Sequence, residues 1–338
     1  QPNAATEFAS AIIAALSEPY DLNGHQANVG ASVGIAFFPA DGSDADQLLK
    51  NADIAMYGAK AQGRGAFRFF EPAMDARMKA RRLLELDLRK AIEQEQLEVY
   101  YQPVVDVVSN AVSGFEALLR WRHPVRGMVS PVEFIPVAEE TGLITRLGEW
   151  VLRQACTDAT AWPGRIKVAV NLSPVQFRSP NLVQAVFSAL ASSHLDPTRL
   201  ELEITEAVLL QDSRVVLDTL HQLKDYGVKI AMDDFGTGYS SLSYLRSFPF
   251  DKIKIDQSFV RGLGSSHDAL PIIRAVTGLG ASLGMTTTAE GVEIREQLDT
   301  LREEGCNEVQ GFLFSPAVPA GDVADLLVRL KQKSPQAA

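Results

Sequence analysis

The chain of 338 residues is 46% hydrophobic and 22% charged and carries a net charge of −10. That length accommodates two domains, or one large barrel with an appendage. The acidic balance and the lack of a basic tract argue against binding a nucleic-acid polymer by counterion release, although bound metal ions would let such a protein take an anionic ligand. Apolar runs such as Ala11–Leu16 fall far short of the roughly 18–20 residues of a membrane span. No membrane contact is therefore expected from this chain, and an anchor upstream stays open because the sequence starts mid-domain. Cys156 and Cys306 lie far apart and form no disulfide framework, which suits free thiols in a reducing cytoplasm.

Residues 1–71 read as helix, hairpin, helix and strand. Phe8–Leu16 is amphipathic. Tyr20–Leu22 and Ala27–Phe38 flank Asn23-Gly24, a strong hairpin turn signal. Ser43 or Asp44 is placed to cap a helix running to about Gln62, with Leu48, Leu49, Ala52, Ala55, Met56 and Ala59 inward. Gly63 and Gly65 end it before a last strand, Ala66–Phe70. Residues 72–92 form a charged helical linker with apolar positions at Met78, Leu83, Leu84, Leu86, Leu88 and Ile92.

From residue 93 to 335, strand-like runs alternate with helix-like ones. The runs are 98–105, 111–120, 166–171, 200–205, 228–233, 252–256, 285–290 and 308–313. Eight such runs over this length predict an α/β fold, a TIM-type (β/α)8 barrel; an open α/β sheet is the alternative. The first two are joined only by "DVVSN", too short for a parallel crossover of roughly 10–12 residues, so one antiparallel strand is expected.

Polar groups recur at the strand ends: Glu116, Asn171, Glu203, Asp233-Asp234, Lys254, Glu290 and Gln310. In a barrel these ends converge on one face. Each alone has a bland reading: a solvated loop acid, a helix cap for Asn171, a neutralising cation for Lys254. Adjacent acids in a strict strand point to opposite faces, so Asp233 and Asp234 can share a site only where the strand breaks. Together, five converging carboxylates call for cations between them. With no His or Cys in the set, Mg²⁺ or Mn²⁺ suits better than Zn²⁺. The five histidines show no ligand spacing. Two-metal hydrolysis of a phosphate ester is the leading chemistry.

These blocks resemble a known family. "YYQPVVD", "EALLRW", "FIPVAEETGLI", "NLSPVQF", "ELEITE", "MDDFGTGYSSL", "DKIKID", "AEGVE" and "CNEVQGFLFSPA" look like the EAL-domain phosphodiesterases, which hydrolyse cyclic di-GMP to linear 5'-pGpG. The resemblance implies two Mg²⁺ or Mn²⁺ ions held by Glu116, Asn171, Glu203, Asp233, Asp234 and Glu290, with Asp233 bridging. It implies Lys254 and Glu290 as catalytic groups, Lys254 orienting the attacking water. Gln102, Arg120, Asp256, Glu293 and Gln310 would contact substrate, and Glu206 would anchor the loop after Asp234. Ala207 and Phe312 depart from the common Ser and Tyr without removing a ligand. A homodimer through the barrel is also implied, and a catalytically weak cyclic di-GMP receptor is the alternative reading. "ASVGIAFFPADG", "NADIAMYGAKAQGRG" and "FRFFE" resemble the C-terminal half of a GGDEF domain without its signature loop. A remnant with no cyclase activity is expected there, with Lys60 and Arg64 where family members contact phosphate.

Overall fold

A computed structural model describes residues 2–22, 25–61, 63, 65–209, 213–236, 245, 247–264 and 268–333. The turn at Asn23-Gly24, Gln62, Arg64, His267 and loop residues Thr237, Gly238, Tyr239 and Ser240 lie outside these. Two compact units emerge, Gln1–Asp87 and Leu88–Ala338.

The first unit contains α1 (Pro2–Leu16), β1 (Tyr20–Leu22), β2 (His25–Ala27), β3 (Val33–Ile35), α2 (Ala45–Ala61), β4 (Phe67–Phe69) and the start of α3 (Pro72–Glu93). The strand expected over Ala27–Phe38 is two strands. β2 pairs antiparallel with β1, whereas β3 pairs parallel with β4. A parallel pair needs a crossover, and α2 supplies it, so the chain must leave the hairpin before β3. Asp44 rather than Ser43 caps α2, its Oδ1 accepting the Gln47 N–H at 2.9 Å. The helix buries Asn51, Ile54, Ala55 and Ala59, with Leu48, Ala52 and Met56 half-buried, so of the residues expected inward only Leu49, 66% exposed, lies off that face. On α3, Leu84, Leu88 and Ala91 are buried and Met78, Leu83 and Leu86 are exposed. Only the first three keep the spacing of one helical face.

The second unit is built on β5 (Leu97–Asp106), β6 (Val112–His123), β8 (Lys167–Leu172), β9 (Leu200–Thr205), β10 (Lys229–Phe235), β11 (Lys252–Ile255), β12 (Thr286–Ala289) and β13 (Glu308–Gln310). They follow one another round a ring, and the β5–β6 pairing closes it into an eight-stranded barrel. β5 runs antiparallel to both neighbours, β6 and β13, which makes it the reversed strand that the short connection demanded. Two short additions, β7 (Gly127–Val129) and β14 (Val318–Pro319), pair with β6 and β5.

Around the strands stand α4 (Pro131–Glu140), α5 (Leu143–Ala159), α6 (Leu182–Ser193), α7 (Glu206–Leu209), α8 (Ser213–Asp225), α9 (Gln257–Gly262), α10 (Ala269–Leu283), α11 (Arg295–Glu303) and α12 (Val323–Lys333). Alternation sorts the strand side chains. Leu200, Leu202 and Ile204 of β9 and Ile253 and Ile255 of β11 join the main apolar core. Their neighbours Glu201, Glu203, Lys252 and Lys254 are equally buried but belong to the opposite strand face. Among the described residues no helix is long and apolar enough to cross a membrane.

Candidate functional site

The barrel register sets the predicted residues side by side. Gln102 of β5 lies opposite Glu116 of β6, and Asn171 of β8 is level with Glu203 of β9. Glu203 is in turn level with Ala231, two residues before Asp233. Lys254 is level with Thr288, two residues before Glu290.

Lys254 is the hub. Its Nζ lies 2.6 Å from Glu203 Oε2, 2.6 Å from Glu290 Oε1, 3.1 Å from Asp233 Oδ1 and 3.8 Å from Glu116 Oε1. Glu116 is further held by the amides of Asn171 (2.7 Å) and Gln310 (2.6 Å). Gln310 also donates to Gln102 Oε1 at 3.2 Å, and Gln102 donates to the Ser315 carbonyl at 3.3 Å. The predicted residues named here thus form one connected network.

Asp234 joins it by a backbone device. Its φ is +54°, in the left-handed region that non-glycine residues seldom adopt. The β10–β11 register shifts between Met232 and Phe235, a bulge that interrupts alternation at this point. Two adjacent acids therefore serve one site. One oxygen each of Asp233, Asp234 and Glu290 come within 4.8 Å of one another. Just beyond, Glu206 Oε1 accepts the Gly236 N–H at 3.0 Å, so Glu206 holds the first residue of the loop. Gly236 has φ +95°, and a Cβ there would sit 3.0 Å from the Phe259 ring.

The charges are out of balance: four carboxylates surround one buried ammonium, and Asp234 adds a fifth beside Asp233 and Glu290. Burial works against the Lys254 charge, and Asp233, Glu116, Glu203 and Glu290 outweigh it, so its pKa is raised. Burial likewise opposes ionisation of Glu116, but Lys254 and the Gln310 and Asn171 amides prevail and hold it below its ordinary value. Burial raises Glu203 well above the usual carboxylate range, with Glu116, Asp233 and Glu201 adding to the shift against the pull of Lys254. Burial pushes Glu290 up to about 8, and burial and Asp233 raise Asp234. An all-oxygen donor set short of positive charge fits a hard divalent cation.

The network opens into a cleft of about 250 Å³ that Gln102, Glu116, Asp233, Glu290, Glu293 and Gln310 help to line. Leu118 is shared with a second, more apolar cavity of about 450 Å³ that takes in Arg120 and Asn171. Arg120 thus faces a different lobe from the acids, half-buried, with its guanidinium 5.8 Å from the Tyr100 ring centroid. Glu293 stands on the rim beside Arg261 at 3.8 Å. Asp256 caps α9, its Oδ1 accepting the Ser258 N–H at 3.0 Å, and it is not among the residues lining either cavity. The exposed Phe312, noted in the sequence as a departure from Tyr, also lines the cleft, as do Gln257 and Arg261, and no strand-end periodicity marks the last two. A buried trio, Glu201, Lys252 and Glu308, lies outside the strand-end pattern, although "LELE" and "KIK" carry the alternation that reveals it.

Residues 85–317 match the family model described as EAL domain, and residues 1–66 that of the diguanylate cyclase, GGDEF domain. An uncharacterized signaling protein of Caulobacter vibrioides is 51% identical over 319 residues, which is 94% of this chain and 39% of that protein. The bifunctional diguanylate cyclase/cyclic di-GMP phosphodiesterase MucR of Pseudomonas aeruginosa is 43% identical over 324 residues, 95% of this chain and 47% of its own length. The solved PaMucR phosphodiesterase in complex with c-di-GMP, also 43% identical, covers 71% of this chain and 99% of its own with a TM-score of 0.69. The chain spans less than half the length of these two curated relatives.

Proposed function

The chain belongs to the EAL-domain family, with a GGDEF-domain stretch ahead of the barrel, and on that premise we propose that it is a divalent-cation-dependent phosphodiesterase opening cyclic di-GMP to linear 5'-pGpG. The observation that carries the reading is the convergence of Glu116, Glu203, Asp233, Asp234 and Glu290 around Lys254 at one end of the barrel.

Glu116, Asn171, Glu203, Asp233, Asp234 and Glu290 would hold two Mg²⁺ or Mn²⁺ ions. When bound, such ions supply a hydroxide nucleophile near neutral pH and offset charge on the phosphate oxygens. Lys254 contributes three N–H donors on a buried stem, suited to orienting the attacking water and meeting negative charge as it develops. Without metal, burial raises the Glu290 pKa so that it holds a proton near neutral pH, and the carboxyl stands next to that ammonium. Gln102 and Gln310 offer amide groups at the cleft, and the Gln310 Oε1 is buried with no hydrogen-bond partner, an acceptor a ligand donor would satisfy. Arg120 presents a planar fork that matches a phosphate or a base edge. Glu293 and Asp256 complete the substrate side, and Glu206 keeps the loop after Asp234 in place. Self-association through the barrel belongs to the same reading, and sedimentation velocity measures it.

The test is chromatographic. Purified protein with Mn²⁺ or Mg²⁺ should convert cyclic di-GMP to pGpG, and excess EDTA should stop it. Binding of the dinucleotide without turnover under either metal would return the chain to the receptor reading.

A further inference from the structure

One step below the candidate site, toward the strand N-termini, a second polar layer fills the barrel. Lys252 Nζ lies 2.6 Å from Glu201 Oε1 and 2.7 Å from Glu308 Oε2. Thr288 Oγ1 donates to the same Glu308 oxygen at 3.0 Å. All four side chains are buried. Burial opposes the Lys252 charge, but Glu201 and Glu308 outweigh it, and Lys252 in turn keeps Glu308 ionised.

Each member stands two residues before a residue of the site on the same strand. Glu201 precedes Glu203 on β9, Lys252 precedes Lys254 on β11, Thr288 precedes Glu290 at the end of β12, and Glu308 precedes Gln310 on β13. The strand order is β13-β12-β11-β10-β9, so β11 is a neighbour of neither β9 nor β13. Backbone ladders set the height of adjacent strands only. Lys252 ties β11 to the two strands it cannot reach by backbone hydrogen bonds.

Stability alone does not call for such a layer. Replacing a buried ion trio with apolar side chains of similar volume is often neutral or stabilising. What ions provide and apolar groups lack is direction: fixed short distances between named atoms on alternate strands.

We propose that Glu201, Lys252, Glu308 and Thr288 form a positioning layer that sets the relative height of Glu203, Lys254, Glu290 and Gln310 without touching substrate, a role that rests on the upper network being the reaction centre.

Four variants test it in the full chain. The first is the charge-free triple change Glu201→Gln, Lys252→Met and Glu308→Gln; the second is Thr288→Val, which deletes a single hydroxyl. Folded fraction comes from circular dichroism, and kcat and KM come from Mn²⁺-supported hydrolysis of cyclic di-GMP. The expected result is a folded triple variant with kcat lowered about tenfold or more, the range seen when groups that orient site residues are removed, and KM within about threefold. Thr288→Val should show the same split, about threefold in kcat, on the same reasoning. Keeping the cation in the single variant Lys252→Arg should preserve more kcat than Lys252→Met, and equal kcat in the two folded variants would overturn the positioning role. A folded triple variant with wild-type kcat would reduce the layer to core filling. Should the triple variant not fold, an unchanged kcat in Thr288→Val overturns the positioning role in the same way. Wild-type protein with no turnover would instead remove the phosphodiesterase reading on which the inference stands.

Discussion

Lys254 is read as the group acting on the nucleophile, and its surroundings carry that proposal. The ammonium satisfies its donors with Glu203, Glu290 and Asp233, oxygens that are also proposed to hold metal. Lys254→Met should therefore lose turnover chiefly through kcat, with little change in KM, and still bind Mn²⁺ in titration calorimetry. Loss of both properties would make Lys254 a structural cation rather than one acting on the nucleophile. Glu116→Ala should reduce metal-supported turnover by more than the roughly 10–100-fold typical of removing a group that only orients a ligand. Its carboxylate joins Asn171, Gln310 and Lys254, so near-normal steady-state rates would break the ligand assignment. These residues were legible in the sequence because each ends a strand-like run. What Asp234 does was legible only as a condition, that the strand must break, and its φ of +54° meets that condition.

At the scale of elements, the eight barrel strands were readable because each is a short apolar run bounded by turn chemistry, and all eight occur close to the expected limits. The N-terminal strands were less so. Asn28, Gly30 and Ser32 offer only a weak turn signal between β2 and β3; what gives β3 a different partner is β4, more than thirty residues on, which takes it as a parallel neighbour. Loop packing was also beyond sequence reading. A Cβ on Gly311 would lie 2.1 Å from the Val292 carbonyl oxygen and 2.3 Å from its nitrogen, so the loops after β12 and β13 meet backbone to backbone. The contact is reinforced by Val292 N–H donating to the Gln310 carbonyl at 3.0 Å. Gly311→Ala should destabilise the protein by about 2 kcal/mol or more, the upper part of the overpacking range, because backbone atoms cannot step aside. Chemical denaturation reads this directly, and an unchanged midpoint would mean that the two loops separate easily.

For the whole molecule, the site is a store of unbalanced charge. Burial pushes Glu290 up to about 8 from an ordinary 4.5. With the folded value above the unfolded one, the native state holds a proton that the unfolded chain releases. That contribution is fully present below pH 4.5 and is lost as pH rises through 8. In EDTA, Glu290→Gln should therefore gain in Tm relative to wild type between about pH 5 and 8, since the amide mimics the protonated acid. Mn²⁺ should narrow the gap by favouring the wild-type carboxylate. A Tm difference that stays flat across this window would show that Glu290 ionises normally in the folded protein.

Alternation and connection length are local properties, so the barrel strands, the one reversed strand and the polar strand ends were all legible along the chain. It also carried the motifs by which the family is recognised. How those groups meet follows from the folded barrel alone. Closure of the ring brings Lys254 to four acids from four strands, and the bulge in β10 turns Asp234 into the set. It likewise stacks the Lys252 layer under the site. Distances between strands that share no hydrogen bonds arise from closure and packing, and no local pattern along the chain encodes them.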